Sequence, residues 1–279
     1  SVSGPREITM PAAAGIVISR GPLTDHVPLY MDKDGAVSCQ FEKNALEKVG
    51  LVKMDFLGLK NLTIIERCVN LIRETTGRNI IVSEIPLDDE KTFRLLQKAD
   101  TKGVFQLESP GMQTLLKRLG PTCFEDIIAV VALFRPGPLN SGMVDDFIKR
   151  KRNPALVKYP HPVLEPILRD TFGVVVYQEQ VMRISQVVAG FTMPEADRLR
   201  KAMGKKDMAI IDALEEKFLK GALKNGFTKK LAESLYDMIK KFGEYGFNKS
   251  HSAAYALVAY QTAYLKARLE IRGLVGHEG

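Results

Sequence analysis

The chain has 279 residues, of which 45% are hydrophobic and 26% are charged, and its formal net charge is +7. This composition is typical of a globular chain with enough apolar side chains for one or two cores, and it excludes a low-complexity or disordered class. The apolar stretches are too short to span a bilayer and the N-terminus lacks a secretion-signal pattern, so we expect a cytoplasmic protein without membrane contact.

The first part of the chain carries strand signals. Short runs of β-branched or alternating apolar residues occur at residues 15–19, 36–41 and 51–56 and predict a small sheet. Residues 61–75 follow with apolar side chains at the spacing of a helix packed on one face. This order of elements predicts an α/β region.

Beyond Pro86 the pattern predicts helices. Thr122-Cys123-Phe124-Glu125 has the sequence of a capping box, and Arg135-Pro136-Gly137-Pro138 ends the helix that this box begins. The proline should place Arg135 on a fixed turn. Further helices are predicted at residues 89–99, at 112–119, from a second capping pattern at 192–195, and around 231–242.

Three cysteines, Cys39, Cys68 and Cys123, are far apart and do not have the spacing of a metal site. Their odd number and wide separation favour reduced thiols over disulfides or zinc ligands. We interpret them as core-packing residues.

The positive charge is unevenly distributed. Lys149, Arg150, Lys151 and Arg152 form a block, and residues 200–249 contain twelve Lys and Arg against seven Asp and Glu. Such an excess suits a polyanionic partner, although a basic balance alone usually indicates only a solvated surface.

The most informative segment runs from Phe242 to Leu257. Ser250 or Ser252 is expected to cap an Ala- and Tyr-rich helix over residues 253–267 that has almost no polar face and should be largely buried. Asn248, Lys249, Ser250 and His251 then lie where free backbone amides and the helix dipole favour an anion. Ordinary capping chemistry explains the same residues equally well.

That segment is also one of six that resemble a known family in the same order. The chain resembles the DNA polymerase III alpha-subunit family of bacterial replicative C-family polymerases, over about residues 14–267. Six long motifs in order are far more specific than a single Gly-rich loop. They are KMDFLGL (53–59), GVFQLES (103–109), FRPGPL (134–139), YQEQVM (177–182), RKAMGKK (200–206) and GFNKSHSAAYALVAYQTAYLKA (246–267).

The resemblance implies two-metal phosphoryl transfer to a primer 3′ end, with two Mg²⁺ ions as cofactors. It implies that Asp55 is one of three catalytic, metal-binding carboxylates and that Lys53 contacts the incoming nucleotide. Because the two residues are two apart on a predicted strand, their side chains should share a face. Taken alone, an Asp at a strand end more often caps a turn.

The other two carboxylates of this family belong to an Asp-x-Asp pair N-terminal to the KMDFLGL motif. The Asp-x-Asp of this chain, Asp32-Lys33-Asp34, runs into Gly35 and has the composition of a hairpin turn. We therefore expect a fragment that does not polymerise alone. Residues 1–11 and 268–279 do not resemble the family, and their origin stays open.

For the fingers, the resemblance implies that Arg200 and Lys201 bind nucleotide, with Asn248, Lys249 and His251 as further candidates. A solvated helix face is the alternative for Arg200 and Lys201. Glu179 begins a polar helix and is expected either to pair with Arg183 or to contact a ligand.

Roles in the remaining motifs are less specific. Arg135 supports its turn, and Gln106 and Ser109 pack or hydrogen-bond within the fingers. The block of Lys149, Arg150, Lys151 and Arg152 is expected to contact the template-primer backbone or to be simply exposed.

The predicted fold is therefore mixed α/β, a small partial palm sheet with helices followed by a mainly α-helical fingers domain. The predicted boundaries are 1–80 for the end of the palm, 81–267 for the fingers and 268–279 for a tail. The expected partners are primer-template DNA, deoxynucleoside triphosphates, the rest of the polymerase chain and replisome subunits such as the sliding clamp. A stand-alone nucleotide- or DNA-binding module and a purely structural replication partner are the alternatives.

Overall fold

A computed structural model of the protein describes residues 8–9, 15–55, 60–205, 207–243 and 245–268. The predictions that concern residues 1–7, 10–14 and the tail after Arg268 lie outside these ranges. The chain forms two compact units, Ser1–Thr63 and Ile64–Gly279. The domain boundaries expected at residues 80 and 267 stay a prediction.

The strands lie in the first unit. They are β1 (Ile8–Thr9), β2 (Gly15–Ile18), β3 (Leu29–Met31), β4 (Val37–Cys39) and β5 (Val52–Asp55), with the short helix α1 (Lys43–Lys48) before β5. β2 lies between β1 and β5 in an antiparallel sheet, while β3 and β4 form a separate hairpin. The expected strand at residues 36–41 is therefore present, but it does not pair with β2 or β5.

The turn predicted at Asp32-Lys33-Asp34 is confirmed. Asp32 N donates to Ala36 O at 2.9 Å, and Asp32 Oδ1 accepts from Asp34 N and Ala36 N at 2.9 and 2.8 Å. Gly35 has a φ of 82°, in the left-handed region that glycine adopts without steric cost. The Asp32 carboxylate is therefore engaged in hydrogen bonds within the hairpin turn.

Helices make up the second unit. They are α2 (Lys60–Thr76, which begins before the boundary), α3 (Glu90–Lys98), α4 (Pro110–Leu119), α5 (Phe124–Leu133), α6 (Pro136–Asn140), α7 (Met143–Arg152), α8 (Glu165–Leu168), α9 (Gln178–Ala189), α10 (Met193–Lys205), α11 (Met208–Lys224), α12 (Lys229–Phe242) and α13 (Lys249–Arg268). Short 3₁₀ turns lie at Leu23–Asp25, Val82–Glu84, Pro154–Leu156, Pro162–Leu164 and Arg169–Thr171. The mixed α/β class with a mainly helical second part is confirmed.

The main core of this unit joins α9, α10, α11 and α12. Its largest fully buried side chains are Tyr236 and Phe218, whose ring centroids are 5.0 Å apart. Gly221 of α11 approaches the backbone of α9 so closely that an added Cβ would lie 2.0 Å from Ala189 O. Glycine is therefore required there for the two helices to pack.

α13 packs against α5 and α3, and Ala256, Ala259, Tyr260 and Ala263 are completely buried. The prediction of a largely buried helix is confirmed for this stretch. The start of the helix was predicted wrongly: it begins at Lys249, and Asn248 caps it in place of Ser250 or Ser252. Asn and Ser are almost equally good caps, so the sequence pattern could not choose between them.

The capping box before α5 lies one residue later than predicted. Cys123 precedes the helix, and Asp126 Oδ2 accepts from Cys123 N at 3.2 Å and from Thr122 N at 2.7 Å. The box before α10 is confirmed, because Thr192 N donates to Glu195 Oε2 at 2.9 Å.

The cysteines differ in environment. Cys39 is buried, Cys68 is half-buried beside Ile65 and Ile72, and Cys123 is exposed. The expectation of core packing is therefore correct for Cys39 and Cys68 and wrong for Cys123, which precedes a helix at the surface. Among the described helices, none is long and apolar enough to cross a membrane.

Candidate functional site

A small cluster of polar and aromatic side chains lies at the start of α13. Asn248 Oδ1 accepts a hydrogen bond from His251 N at 2.8 Å, which fixes the first turn. The exposed imidazole of His251 stacks near Tyr255, with ring centroids 4.3 Å apart, and meets Phe247 at 5.5 Å. The structure thus brings Asn248 and His251 together and leaves the imidazole accessible.

A carboxylate from α9 lies at the N-terminus of α13. Glu179 Oε1 and Oε2 accept from Lys249 N at 3.1 and 3.0 Å, and Oε1 also accepts from Asn248 Nδ2 at 3.0 Å. The ammonium of Lys249 lies 5.4 Å from the centre of the Tyr177 ring. The position for which the sequence left both an external anion and ordinary capping open is therefore filled by a side chain of the protein, and Glu179 contacts α13.

Arg135 holds the segment that leads into α13. Its Nη2 donates to Tyr245 O at 2.7 Å, its Nε donates to Ala132 O at 2.9 Å, and its guanidinium carbon lies 4.3 Å from the centre of the Phe247 ring. Burial lowers the pKa of Arg135, and the guanidinium stays charged because arginine ionises far above neutral pH. Its role thus extends beyond the turn that it was expected to support.

The backbone of the same segment pairs with the residues that precede α9. Gln178 N donates to Phe247 O at 2.9 Å, and Phe247 N donates to Val176 O at 3.4 Å. A Cβ added at Gly246 would lie 2.6 Å from the Phe242 ring and 3.2 Å from Gln178 Cγ. The segment before α13 is thus held by α9 on one side and by the end of α5 on the other.

Arg200 and Lys201 lie one turn after Asp197 on α10 and share its carboxylate. Arg200 Nε and Nη2 each lie 2.8 Å from Asp197 Oδ1, and Lys201 Nζ lies 2.8 Å from Oδ2. Hydrogen bonds from Lys201 and Arg200 lower the pKa of Asp197. The Lys201 side chain is 64% exposed and that of Arg200 is 29% exposed, so the lysine is the more accessible cation.

Gln178 lies between Gly204 of α10 and the segment that precedes α13. Its Nε2 lies 3.4 Å from Gly246 O, and a Cβ added at Gly204 of α10 would lie 3.8 Å from the same nitrogen. Met203 Cγ lies 3.6 Å from the Cβ position of Gly243. The end of α10, four residues after Arg200, therefore lies beside Gln178 and Gly243, next to the segment that leads into α13.

Lys53 and Asp55 lie in the first unit on β5. They pair with Val17 and Gly15 of β2, so the two residues lie on one face of the strand, as expected from their spacing. The neighbouring Met54, on the opposite face, is 49% exposed. The backbone thus ends a strand at Asp55, whose side chain is outside the described set.

The basic block at the end of α7 is not a uniform surface. Lys151 Nζ forms an ion pair with Asp126 Oδ2 at 2.8 Å, with side chains only 12% and 2% exposed. Arg152 donates to Arg118 O and Arg150 Nη1 donates to Phe172 O at 3.4 Å, whereas Lys149 is exposed. The predicted DNA contact stays a prediction, and this geometry favours Lys149 for it over Lys151.

In the part of the chain that the structure describes, no three His, Cys, Asp or Glu side chains lie close enough to hold a metal ion. The described residues therefore do not form a complete metal centre. A cavity of about 990 Å³ lies apart from the candidate site, between α2, α3 and α13. Its lining is basic and aliphatic and includes none of the predicted site residues: Lys91, Arg94, Lys98, Lys102 and Lys266 surround Ile64, Cys68, Leu95 and Leu265.

Comparison with known families identifies both parts of the chain. Residues 61–226 match the bacterial DNA polymerase III alpha subunit finger domain. The chain belongs to the DNA polymerase III alpha-subunit family. Residues 4–58 match a second domain of the same subunit, described as its NTPase domain, so the family similarity begins earlier than the expected residue 14.

Curated alpha subunits of this family are similar to most of the chain. The chain is 53% identical over 255 residues to the DNA polymerase III subunit alpha of Aquifex aeolicus and 51% identical over 265 residues to that of Escherichia coli K12. The subunit of Pseudomonas aeruginosa is 52% identical over 264 residues. Each alignment covers 91% of this chain but only 22% or 23% of the relative. The chain therefore spans less than a quarter of the length of these alpha subunits.

Sequence reasoning did not assign the contacts that Glu179 and Arg135 make in the candidate site, and it missed Asp197. Glu179 was expected to pair with Arg183 or to contact a ligand, and Arg135 was expected only to support its turn. Both instead hold the segment around the start of α13. Asp197 was not considered, although it lies one turn before Arg200 and Lys201, a spacing that predicts ion pairs on a helix. The first two contacts join residues 70 or more positions apart, so no local pattern reports them.

Proposed function

We propose that this chain is the part of a bacterial replicative DNA polymerase that grips the incoming deoxynucleoside triphosphate during primer extension. The observation that carries the proposal is that the end of α10 lies beside the segment that leads into α13. Met203 and Gly204, which follow Arg200 and Lys201 on α10, lie near Gly243 and Gln178, and Gln178 Nε2 donates to Gly246 O at 3.4 Å. Membership of the alpha-subunit family supports it.

Each cation in this site has a chemical role in the proposal. Arg200 presents a planar fork that matches two phosphate oxygens, and Lys201 adds a compact charge. A triphosphate would take both cations from Asp197 and leave that carboxylate facing solvent. His251 and the ammonium of Lys249 lie at the start of a helix, where the dipole favours a negatively charged group.

For the chemistry of transfer, we propose that Asp55 is one ligand of two Mg²⁺ ions and that Lys53 contacts the nucleotide. When bound, such ions activate the primer hydroxyl and neutralise charge on the leaving phosphates. A catalytic pair of metal ions needs several carboxylates, so the remaining ligands would come from the alpha subunit outside these 279 residues. The chain alone is therefore expected not to extend a primer.

The partners in the proposal follow from the family. They are primer-template DNA, the remainder of the alpha subunit and replisome components such as the sliding clamp, in the cytoplasm. The exposed Lys149 of α7 would contact the phosphate backbone.

Single-nucleotide incorporation by the full-length alpha subunit tests the nucleotide site. Arg200→Ala is expected to raise the KM for the nucleotide about tenfold to a hundredfold, because a charge-assisted bond contributes about 1.5–3 kcal/mol. Asp55→Asn should abolish incorporation while nucleotide and DNA binding persist. Normal KM values in Arg200→Ala, Lys201→Ala and His251→Ala together would refute the proposal.

The 279-residue chain gives a second test on a primed template with Mg²⁺ and all four nucleotides. No extension is expected, and Asp55→Ala should behave identically. Extension that disappears in Asp55→Ala would show that a complete catalytic centre exists within the chain.

A further inference from the structure

The N-terminus of α13 already holds an anion. Both carboxylate oxygens of Glu179 accept from Lys249 N, and one of them also accepts from the amide of Asn248. The first amides of a helix have no partner within the helix, and its dipole favours negative charge there. Glu179 satisfies both requirements from the first turn of a different helix, α9.

The hydrogen bonds form a series that leads from Glu179 to the backbone N–H of His251. Glu179 orients the Asn248 side chain, whose Oδ1 in turn accepts from His251 N at 2.8 Å. Since Asn248 binds through both ends of its amide, its rotation is fixed, and with it the direction in which the first turn presents His251. The exposed imidazole contacts the rings of Phe247 and Tyr255.

We propose that Glu179 is a positioning residue for nucleotide binding: it fixes the first turn of α13 so that His251 and the Lys249 ammonium meet the triphosphate. This inference rests on the proposed function. It also corrects the view of the helix N-terminus as an open phosphate site, because the Lys249 amide is occupied by a carboxylate. The phosphates then meet the side chains of this turn and not its first backbone amide.

A competing role makes the opposite prediction. If Glu179 merely filled the anion position until a triphosphate displaced it, its negative charge would oppose nucleotide binding. Removing the carboxylate would then lower the KM for the nucleotide. The positioning role requires the KM to rise.

The test uses the full-length alpha subunit and single-nucleotide incorporation on a primed template. For Glu179→Ala we expect the KM for the nucleotide to rise about tenfold, with kcat changed less than about twofold, because charge-assisted hydrogen bonds are lost. Glu179→Gln should recover most of the wild-type KM, since its amide oxygen still accepts from Lys249 N. Glu165→Ala, which removes a half-buried glutamate of α8 that pairs with Arg169, is the matched control and should leave both constants unchanged.

A double-mutant cycle with His251→Ala separates the possible failures. If Glu179 acts through His251, the double variant should have a KM close to that of the worse single variant. A raised KM in His251→Ala with a normal or lowered KM in Glu179→Ala would overturn the positioning role and leave the proposed function intact. If His251→Ala itself has a normal KM, the nucleotide role of this turn fails and the positioning role fails with it. Loss of folding would lower the active fraction and therefore kcat, which an unchanged kcat of Glu179→Ala would exclude.

Discussion

Lys151 and Asp126 form an ion pair that is almost completely removed from water. The carboxylate also accepts from Thr122 N and Cys123 N, and Lys151 Nζ also donates to Thr122 Oγ1 at 3.0 Å. Because the donors and acceptors are matched, the charges are tolerated in the interior. The same residue was expected from sequence to face DNA, since four consecutive cations give no sign of which one points inward.

We predict that Lys151→Met lowers the free energy of unfolding by about 3 kcal/mol, because Asp126 would remain buried and charged without its cation. Lys149→Met, on the exposed face of the same helix, should change it by less than about 0.5 kcal/mol. Chemical denaturation of the two variants measures both values. Equal losses of unfolding free energy in the two variants would contradict a stabilising role for the buried ion pair of Lys151 with Asp126.

For DNA affinity we expect the opposite order, with a larger loss in Lys149→Met than in Lys151→Met. If the exposed Lys149 contacts a phosphate in the full-length subunit, Lys149→Met should weaken primer-template binding and reduce the salt dependence by about one counterion. Titrations at several salt concentrations give that slope. An unchanged slope would show that Lys149 is a solvated surface cation.

At the scale of elements, the contact between α9 and α11 requires a residue without a side chain, Gly221, at the point where the helices meet. A Cβ at Gly221 would lie 2.0 Å from Ala189 O, so Gly221→Ala must separate the two helices or distort one of them. We expect a loss of about 3 kcal/mol or more, comparable with severe overpacking of a core. Thermal unfolding measures the change.

Gly204→Ala is the control for that substitution. Gly204 also lies in a helix, and its added Cβ would meet only Gln178 Nε2 at an ordinary contact distance of 3.8 Å. The expected change is neutral or stabilising by up to about 1 kcal/mol, because alanine favours the helix over the unfolded chain. A similar loss in both variants would mean that helix propensity, and not close packing, governs the two sites.

A second link between elements joins α3 to the end of α13. Asp89 caps α3 through Thr92 N at 2.9 Å, its carboxylate binds Arg268, and its own N–H donates to Tyr260 Oη at 2.8 Å. Burial alone would raise the pKa of Asp89, but hydrogen bonds from Arg268 and Thr92 lower it overall. Two helices that are distant in sequence thus share one ionised side chain.

This lowered pKa predicts the direction of a pH effect. Because the folded-state value lies below the unfolded value of about 3.9, Asp89 contributes stability above that pH and loses it as the pH falls through the lowered pKa. Asp89→Asn should therefore cost about 1 kcal/mol near neutral pH and progressively less below about pH 4. Thermal unfolding of both proteins between pH 3 and 7 gives the difference. A gap that widens toward acid would contradict the assignment.

Local signals predicted the elements well and their partners poorly. Periodic apolar residues correctly predicted α2, α3 and α12. The turn at Asp32 to Gly35 was also predicted correctly, because the residues that form it are adjacent in sequence. The errors arose where several residues could do the same task, as for the cap of α13, or where the partner lies far along the chain, as for Glu179 and Lys249. Asp55 was correctly expected at a strand end, but a catalytic centre assembled from distant segments leaves no local pattern.

At the scale of the whole molecule, the two compact units differ greatly in apolar content. Among the described residues, the buried cluster of the first unit is small, comprising Val17, Leu23, Val27, Cys39, Leu46 and Leu51, whereas the second contains the large core around Tyr236 and Phe218. A small core contributes little free energy against the conformational entropy of folding. We therefore expect the second unit to fold alone more readily than the first.

We predict that residues 60–268 expressed alone form a helical protein with one cooperative thermal transition. Residues 1–63 alone should lack a cooperative transition, because too little apolar surface is removed from water. Circular dichroism during heating distinguishes the two fragments. A non-cooperative profile for residues 60–268 would show that the second unit needs the first in order to fold.

The environments of the three cysteines make the protein convenient to label. Burial raises the pKa of Cys39 and Cys68, and partial burial together with Asp126 raises the pKa of Cys123 to about 11. Since maleimide dyes react with the thiolate, a thiol of that pKa is only about one part in a thousand reactive at pH 8. A new surface cysteine should outcompete all three, so fluorophores for distance measurements could be attached without first removing the native cysteines.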